Sequence, residues 1–164
     1  MKLLWLKSLQ PLSLLIRLVT GEDCSHFTFV FESQASGLLF ESDLLGTHPA
    51  FLTTVMKSHT LVHSMPLDIP IEIEDKIWDT VVEKYDGLQY DYFGAIYLGL
   101  RILLKRLFKI PLPQKNVLRE HNTYFCEEIY KILSDNISTL PKVDTPMTTP
   151  HMLWEKLNAL RDSK

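Results

Sequence analysis

Two short segments near opposite ends of the chain carry side chains that could perform nucleophilic chemistry. The first, Ser25 to Val30, places His26 at the start of an alternating, β-like run. The second, Asn122 to Glu128, places Cys126 in the first turn of a predicted helix. A thiol is a common nucleophile in covalent catalysis, and an imidazole is its usual general base. The two segments therefore predict a cysteine nucleophile, Cys126, activated by His26.

The position of Cys126 supports this interpretation. Asn122 or Thr123 is a suitable N-cap, and apolar residues recur downstream at helical spacing, at Phe125, Ile129, Ile132 and Leu133. The unpaired N–H groups and the positive end of the helix dipole favour a thiolate in the first turn, and the same N–H groups can bind an oxyanion. The alternative is a buried structural thiol. The acidic neighbours Glu127 and Glu128 suit a helix start but oppose thiolate formation.

The register of a predicted hairpin places a carboxylate beside His26. If its turn is centred on residues 34 to 35, facing positions sum to about 68, so His26 lies opposite residues 41 to 43. We expect Glu41 to orient the imidazole, with Asp43 as the alternative and Glu32 too far along the strand. A base oriented by a third polar group is the arrangement that nucleophilic catalysis uses. The alternative interpretation is that His26 is a strand-edge histidine paired with a surface acid and has no catalytic role.

The distribution of apolar residues predicts an α+β fold, in which a small antiparallel sheet is flanked by helices. Predicted strands cover 26–32, 38–43, His59 to Met65 and a fourth segment at 69–73, which Pro66 and Pro70 punctuate. Predicted helices cover 9–19, 74–85, 93–108, 123–133 and 151–160.

Length and composition bound the class of protein. A chain of 164 residues predicts one domain, residues 1–164. Its content of 46% hydrophobic and 23% charged residues is ordinary for a globular protein. A net charge of −3 gives no reason to expect a nucleic-acid partner. Two cysteines cannot form a thiolate-rich zinc site, so we expect neither a metal nor a cofactor.

Neither apolar segment of the chain predicts membrane insertion. Lys7 and Arg17 interrupt the N-terminal apolar runs before they reach the length of a signal peptide. The segment from Tyr92 to Leu104 is shorter than the roughly 20 residues that a bilayer requires. We therefore expect a cytoplasmic location.

The remaining histidines and Cys24 are interpreted as structural. Cys24 precedes the predicted strand and lacks a helix dipole. His59 and His63 have the spacing of a helical metal site but lie in a predicted strand. His48 and His151, each beside a proline, are predicted to lie in a loop and at a helix cap.

Four short segments, taken together, resemble a known family. They are Ser25 to Val30, Leu39 to Ser42, Tyr90 to Ala95 and Tyr124 to Glu128. They are similar to the permuted papain-like cysteine hydrolases of the YiiX-like branch. That branch belongs to the NlpC-type superfamily, which also includes lecithin:retinol acyltransferase-like enzymes. The resemblance covers residues from about 9 to 155. The histidine precedes the cysteine, which is the order expected of a circular permutation.

The resemblance implies roles for three residues. His26 would lie on the first core strand as the base, Glu41 on the next strand as its orienting residue, and Cys126 at the start of a late helix as the nucleophile. The implied activity is that of a cysteine peptidase or amidase acting on a peptide or a peptidoglycan-like crosslink. Family members commonly carry a small serine after the cysteine, where this chain has Glu127. The backbone N–H at that position survives the change.

Two further hypotheses remain open. The resemblance equally admits an acyltransferase or thioesterase with an acyl substrate, and the stripe of Arg101, Lys105 and Lys109 could contact an anionic membrane surface. The other hypothesis is a binding module that keeps the fold without activity. An unreactive Cys126 would favour the binding module.

Overall fold

The computed structural model of the protein describes residues 1–34, 37–43, 45–110, 123–124, 126–143 and 148–162, and for 123, 124 and 126–128 it describes the backbone. The strands are β1 (Lys2–Ser8), β2 (His26–Phe31), β3 (Leu38–Asp43), β4 (Gly46–Phe51), β5 (His59–Pro66), β6 (Gln89–Tyr90) and β7 (Thr123–Tyr124). The helices are α1 (Pro11–Thr20), α2 (Leu52–Val55), α3 (Ile71–Tyr85), α4 (Tyr92–Phe108), α5 (Cys126–Asn136) and α6 (Pro150–Asp162). The predicted α+β class is confirmed.

The main sheet is antiparallel and five-stranded, in the order β4-β3-β2-β1-β5. The predictions assigned no strand to Lys2–Ser8, yet β1 lies in the centre of the sheet between β2 and β5. Its side chains from Leu3 to Leu6 are all buried, so the segment lacks the alternation of a half-exposed strand. Without alternation, a short apolar run does not reveal its secondary structure.

The strand predicted at 69–73 is wrong, because α3 begins at Ile71. Pro70 precedes the first helical residue, and Glu72 and Glu74 lie in the first turn, where acidic side chains interact favourably with the helix dipole. The β-branched isoleucines of 69–73 had suggested a strand. The helix-start signals of Pro70 and the two acids outweigh that preference.

The sheet has two differently covered faces. The helix face carries Leu3, Trp5, Phe27, Phe29 and Phe40, and it packs against the buried sides of α3, α5 and α6 in one hydrophobic core. The opposite face carries a smaller core of Leu4, Leu6, Val30 and Leu39, which packs against Val55 of α2. His26 and Phe27 are neighbours in β2, and successive side chains of a strand point to opposite faces. Because Phe27 lies on the helix face, His26 lies on the opposite face.

The helices α1 and α4 pack against each other beside the sheet. Asp91 caps the start of α4 by accepting a hydrogen bond from the Gly94 backbone N–H at 2.8 Å. At the other end, Lys109 adopts a left-handed conformation and ends the helix. Among the described residues, no helix has both the length and the apolar character needed to cross a bilayer.

Candidate active site

The β2–β3 hairpin brings His26 and Glu41 into contact. Phe29 pairs with Phe40, and this register places His26 and Glu41 diagonally across the two strands on the opposite face. The Nε2 atom of His26 lies 3.2 Å from Oε2 of Glu41. Both residues are buried, with His26 exposed by 8% and Glu41 by 5%. The predicted contact is present and involves the preferred carboxylate.

Asp43, the alternative partner, has a different role. Its Oδ1 atom accepts a hydrogen bond from the Leu45 backbone N–H at 2.7 Å. An aspartate that binds a backbone N–H two residues further on is a common turn-stabilising arrangement. Asp43 therefore closes the connection between β3 and β4.

The surroundings of Glu41 favour its ionised form. Burial alone would raise the pKa of Glu41, but the hydrogen bond and charge of His26, together with the charges of His48 and His59, hold it below its usual value. An ionised carboxylate only accepts hydrogen bonds, so the Nε2 atom of His26 donates to it. In the neutral imidazole, the lone pair is then on Nδ1, which becomes the nitrogen that can accept a proton.

Two further histidines surround this pair. His48 lies in β4 directly opposite Glu41, with its Nε2 atom 3.7 Å from Oε1. The ring centroid of His59, at the start of β5, lies 5.5 Å from that of His26. Burial and the charge of His26 lower the pKa of His59. Glu41 is thus the acidic centre of a group of three histidines.

The predicted loop location of His48 is wrong, because Gly46–Phe51 forms an edge strand. Pro49 argued against a strand there, but an edge strand tolerates a proline. An alternating pattern could not have identified β4, because few large apolar side chains occur in it. The signal that could have found His48 is the short turn after Asp43, which makes a second hairpin the simplest continuation of the chain.

The helix α5 begins at Cys126, so the cysteine lies in the first turn as predicted. The side chains of Cys126, Glu127 and Glu128 lie outside the described part of the chain, and so does Asn122. Thr123 is not the N-cap, since it belongs to β7 and pairs in parallel with Gln89 of β6. The extended pairing of β7 explains why the helix starts later than predicted.

The backbone fixes where α5 begins relative to the sheet. β7 pairs with β6, and the Leu88 carbonyl just before β6 accepts a hydrogen bond from the Thr47 N–H at 2.8 Å. Thr47 lies near the start of β4, at the end of the sheet where β2 also starts. Helix α5 then packs on the helix face, where the ring centroid of Tyr130 lies 6.3 Å from that of Phe27. The cysteine helix thus starts at the same end of the sheet as His26, while the His26–Glu41 pair lies on the opposite face.

A cavity of about 360 Å³ lies between α1 and α4 and reaches this end of the sheet. Its walls are almost entirely apolar and include Leu12, Ile16 and Val19 of α1 and Ile96 and Leu103 of α4. It also reaches Ser25, which precedes His26, and Tyr90, which pairs with Tyr124 just before the cysteine helix. The cavity therefore borders the residue before His26 and the strand β6, which pairs with β7 just before the cysteine helix.

Comparison with models of protein families, with curated proteins and with solved structures finds no match.

Proposed function

We propose that the protein is a cysteine hydrolase that cleaves an amide bond through a thioester acyl-enzyme, with Cys126, His26 and Glu41 as its catalytic residues. The observation that carries the proposal is the buried contact of 3.2 Å between His26 and Glu41. It occurs at the end of the sheet where α5 begins with Cys126. A histidine oriented by a carboxylate is the base that a thiol nucleophile requires.

In the proposed reaction, Sγ of Cys126 attacks the carbonyl carbon of the scissile amide while Nδ1 of His26 takes the thiol proton. Backbone N–H groups in the first turn of α5 stabilise the oxyanion. The intermediate collapses to a thioester as His26 returns the proton to the leaving amine. Water then attacks the thioester with His26 as base, which releases the acid and restores the thiol. Glu41 holds the imidazole through Nε2 at each step.

The two faces of the sheet impose one requirement on this mechanism. His26 is the first residue of β2, and its side chain points away from the face on which α5 packs. The thiol must therefore meet the imidazole around the end of β2 rather than through the sheet. The reactivity of Cys126 measures directly whether this meeting occurs.

The decisive experiment is the pH dependence of iodoacetamide labelling at Cys126, read by peptide mass spectrometry. We expect a labelling midpoint well below the ~8.5 of an ordinary cysteine. The midpoint should rise in His26→Ala and, by a smaller amount, in Glu41→Gln.

His48→Gln is the matched control, since it removes the histidine that lies 3.7 Å from Glu41 while leaving the His26 contact in place. We expect it to keep the low midpoint. An ordinary thiol profile at Cys126 that none of the three substitutions alters would refute the hydrolase proposal and favour a binding module without activity.

A second candidate is supported by the cavity between α1 and α4, whose apolar walls suit an acyl chain better than a peptide. The adjoining end of α4 exposes Lys105, Arg106, Leu107, Phe108 and Lys109. Basic and apolar side chains exposed side by side are typical of contact with an anionic membrane surface. This combination favours a lipid-acting acyltransferase or thioesterase with the same three catalytic residues.

Binding of a fluorescent long-chain fatty acid tests the second candidate. Ile96 lines the cavity and is 61% exposed, whereas Leu107 of the same helix is 62% exposed and lies outside the cavity walls. We expect Ile96→Gln to weaken binding and Leu107→Gln to leave it unchanged. Equal effects of the two substitutions would show that the fatty acid binds a general apolar surface rather than the cavity.

A further inference from the structure

A second group of potential metal ligands lies where the loop before β2 meets the first turn of α6. The Sγ atom of Cys24, a carboxylate oxygen of Asp23 and a ring nitrogen of His151 all lie within 4.8 Å of one another. Cys24 is fully buried, His151 is half-buried and Asp23 is exposed. The proposed hydrolase reaction uses none of these three residues, so the group needs a separate explanation.

Two histidines flank the Asp23 carboxylate. The Nδ1 atom of His151 lies 3.0 Å from Oδ1, and the Nε2 atom of His63, from β5, lies 3.2 Å from Oδ2. The ring of His63 is stacked parallel to that of Trp154, with centroids 4.3 Å apart. This stacking fixes the plane of the His63 ring, and its Nε2 atom contacts Asp23 without the geometry of a hydrogen bond. The cluster thus joins three parts of the chain that are far apart in sequence.

We propose that Cys24, Asp23 and His151 form a binding site for a divalent transition-metal ion of the zinc class. Thiolate, imidazole and carboxylate are the ligand types that zinc takes in proteins, and three protein ligands leave one position for water. On binding, the Cys24 thiol releases its proton to solvent and ligates as a thiolate. His63 lies on the other side of the Asp23 carboxylate, where its Nε2 atom makes a close contact of 3.2 Å without the geometry of a hydrogen bond.

The surrounding structure gives such a site a mechanical role. The indole N–H of Trp5, in the central strand, donates to the Pro150 carbonyl at 2.8 Å, directly before His151. A metal ion would add a further link between α6 and the sheet, through the loop that leads into His26, beside the existing contacts of His151 with Asp23 and of Trp154 with His63. A ligand that binds only the folded state stabilises it, so the melting temperature should rise with the concentration of the metal.

The group formed by Glu41, Asp43 and His48 provides an internal comparison, because its potential ligand atoms also lie within 4.8 Å of one another. It lacks a thiol, and Glu41 already contacts His26. Carboxylates and an imidazole alone would not produce the spectroscopic signature of thiolate ligation. The two groups can therefore be distinguished in one experiment.

The test uses the full chain, freed of metal by a chelator and titrated with Co²⁺ as a spectroscopic substitute for zinc. We expect a sulfur-to-cobalt charge-transfer band in the near ultraviolet that Zn²⁺ displaces. Cys24→Ser should abolish the band, and Cys126→Ser should keep it. Asp23→Asn and His151→Gln should each weaken Co²⁺ affinity by roughly tenfold or more, because each removes a proposed ligand. His48→Gln, the matched control in the other group, should leave affinity unchanged.

Three results would overturn the proposal: no charge-transfer band in the unmodified chain, a band that survives Cys24→Ser, or a band that disappears in Cys126→Ser. Because Cys24 is buried, Cys24→Ser could fail to fold. The half-exposed His151 then decides, since unchanged Co²⁺ affinity in folded His151→Gln refutes the site equally well. The band does not depend on hydrolase activity, so the metal site and the proposed function stand or fail separately.

Discussion

Removal of the His26 side chain should expose how strongly the buried Glu41 carboxylate depends on its partner. In His26→Ala, the Glu41 carboxylate, whose side chain is 7% exposed in the unmodified protein, loses a contact of 3.2 Å. Leaving a buried charge without its partner typically costs about 3–5 kcal/mol of folding free energy. The Nε2 atom of His48 remains 3.7 Å away on a side chain that is 31% exposed, so a second histidine still stabilises the charge. We therefore expect a loss near the lower limit, about 3 kcal/mol.

The same substitution should cost less when the carboxylate has already been neutralised. In Glu41→Gln the side chain keeps its shape but no charge is buried, so loss of His26 leaves only an unsatisfied amide. We expect a coupling free energy of about 1.5 kcal/mol between the two positions, within the range for residues in direct contact. Replacing His48 instead should give a smaller coupling, because its contact with Glu41 is longer and partly exposed to solvent.

Urea unfolding at neutral pH, followed by far-ultraviolet circular dichroism, measures the complete double-mutant cycle. The four chains are the unmodified protein, His26→Ala, Glu41→Gln and the double variant. The His48→Ala cycle serves as the control. If the costs of the two single substitutions add to within ~0.5 kcal/mol, the contact carries no coupling and the reasoning about a buried, oriented pair is wrong.

Three further predictions concern acid sensitivity, a turn and the central strand. Because the pKa of Glu41 lies below its usual value of 4.5, its ionised form stabilises the fold above that pH, and this contribution is lost as the pH falls through the lowered pKa. Urea midpoints measured across this acidic range should therefore fall more steeply for the unmodified protein than for Glu41→Gln. Gly46 has a φ of 109°, and a Cβ there would overlap a backbone carbonyl, whereas Gly87, with a φ of 76°, has open space. We expect Gly46→Ala to cost about 1–3 kcal/mol more than Gly87→Ala in urea unfolding, and equal costs would contradict the close approach. Trp5→Phe should cost about 1–3 kcal/mol by leaving the Pro150 carbonyl without its donor, and a fully stable variant would contradict this.

Much of the fold was predictable from local patterns. The helices predicted at 9–19, 74–85, 93–108, 123–133 and 151–160 are all present, with ends shifted by a few residues, and the β2–β3 hairpin follows alternation on either side of a turn. The same hairpin register predicted the contact of His26 with Glu41. These features depend on residues close together in sequence, so propensity and periodicity are sufficient to predict them.

Strand pairing over longer distances was not predictable. β1 is buried on both faces and shows no alternation, and β4 contains few of the residues that mark a strand. Because β4 was missed, the position of His48 opposite Glu41 was missed with it. A strand acquires its neighbours from hydrogen bonds to distant segments, and its own sequence records those neighbours weakly.

The sequence by itself determined the α+β class, the main helices and the pairing of an imidazole with a carboxylate across one hairpin. Only the tertiary structure decided which face of the sheet His26 occupies, which histidines join Glu41, and that Cys24, His63 and His151 meet around Asp23. The physical reason is that local backbone preferences act within a few residues. The meeting of Asp23 with His63 and His151 depends instead on how the sheet orders its strands and where α6 docks.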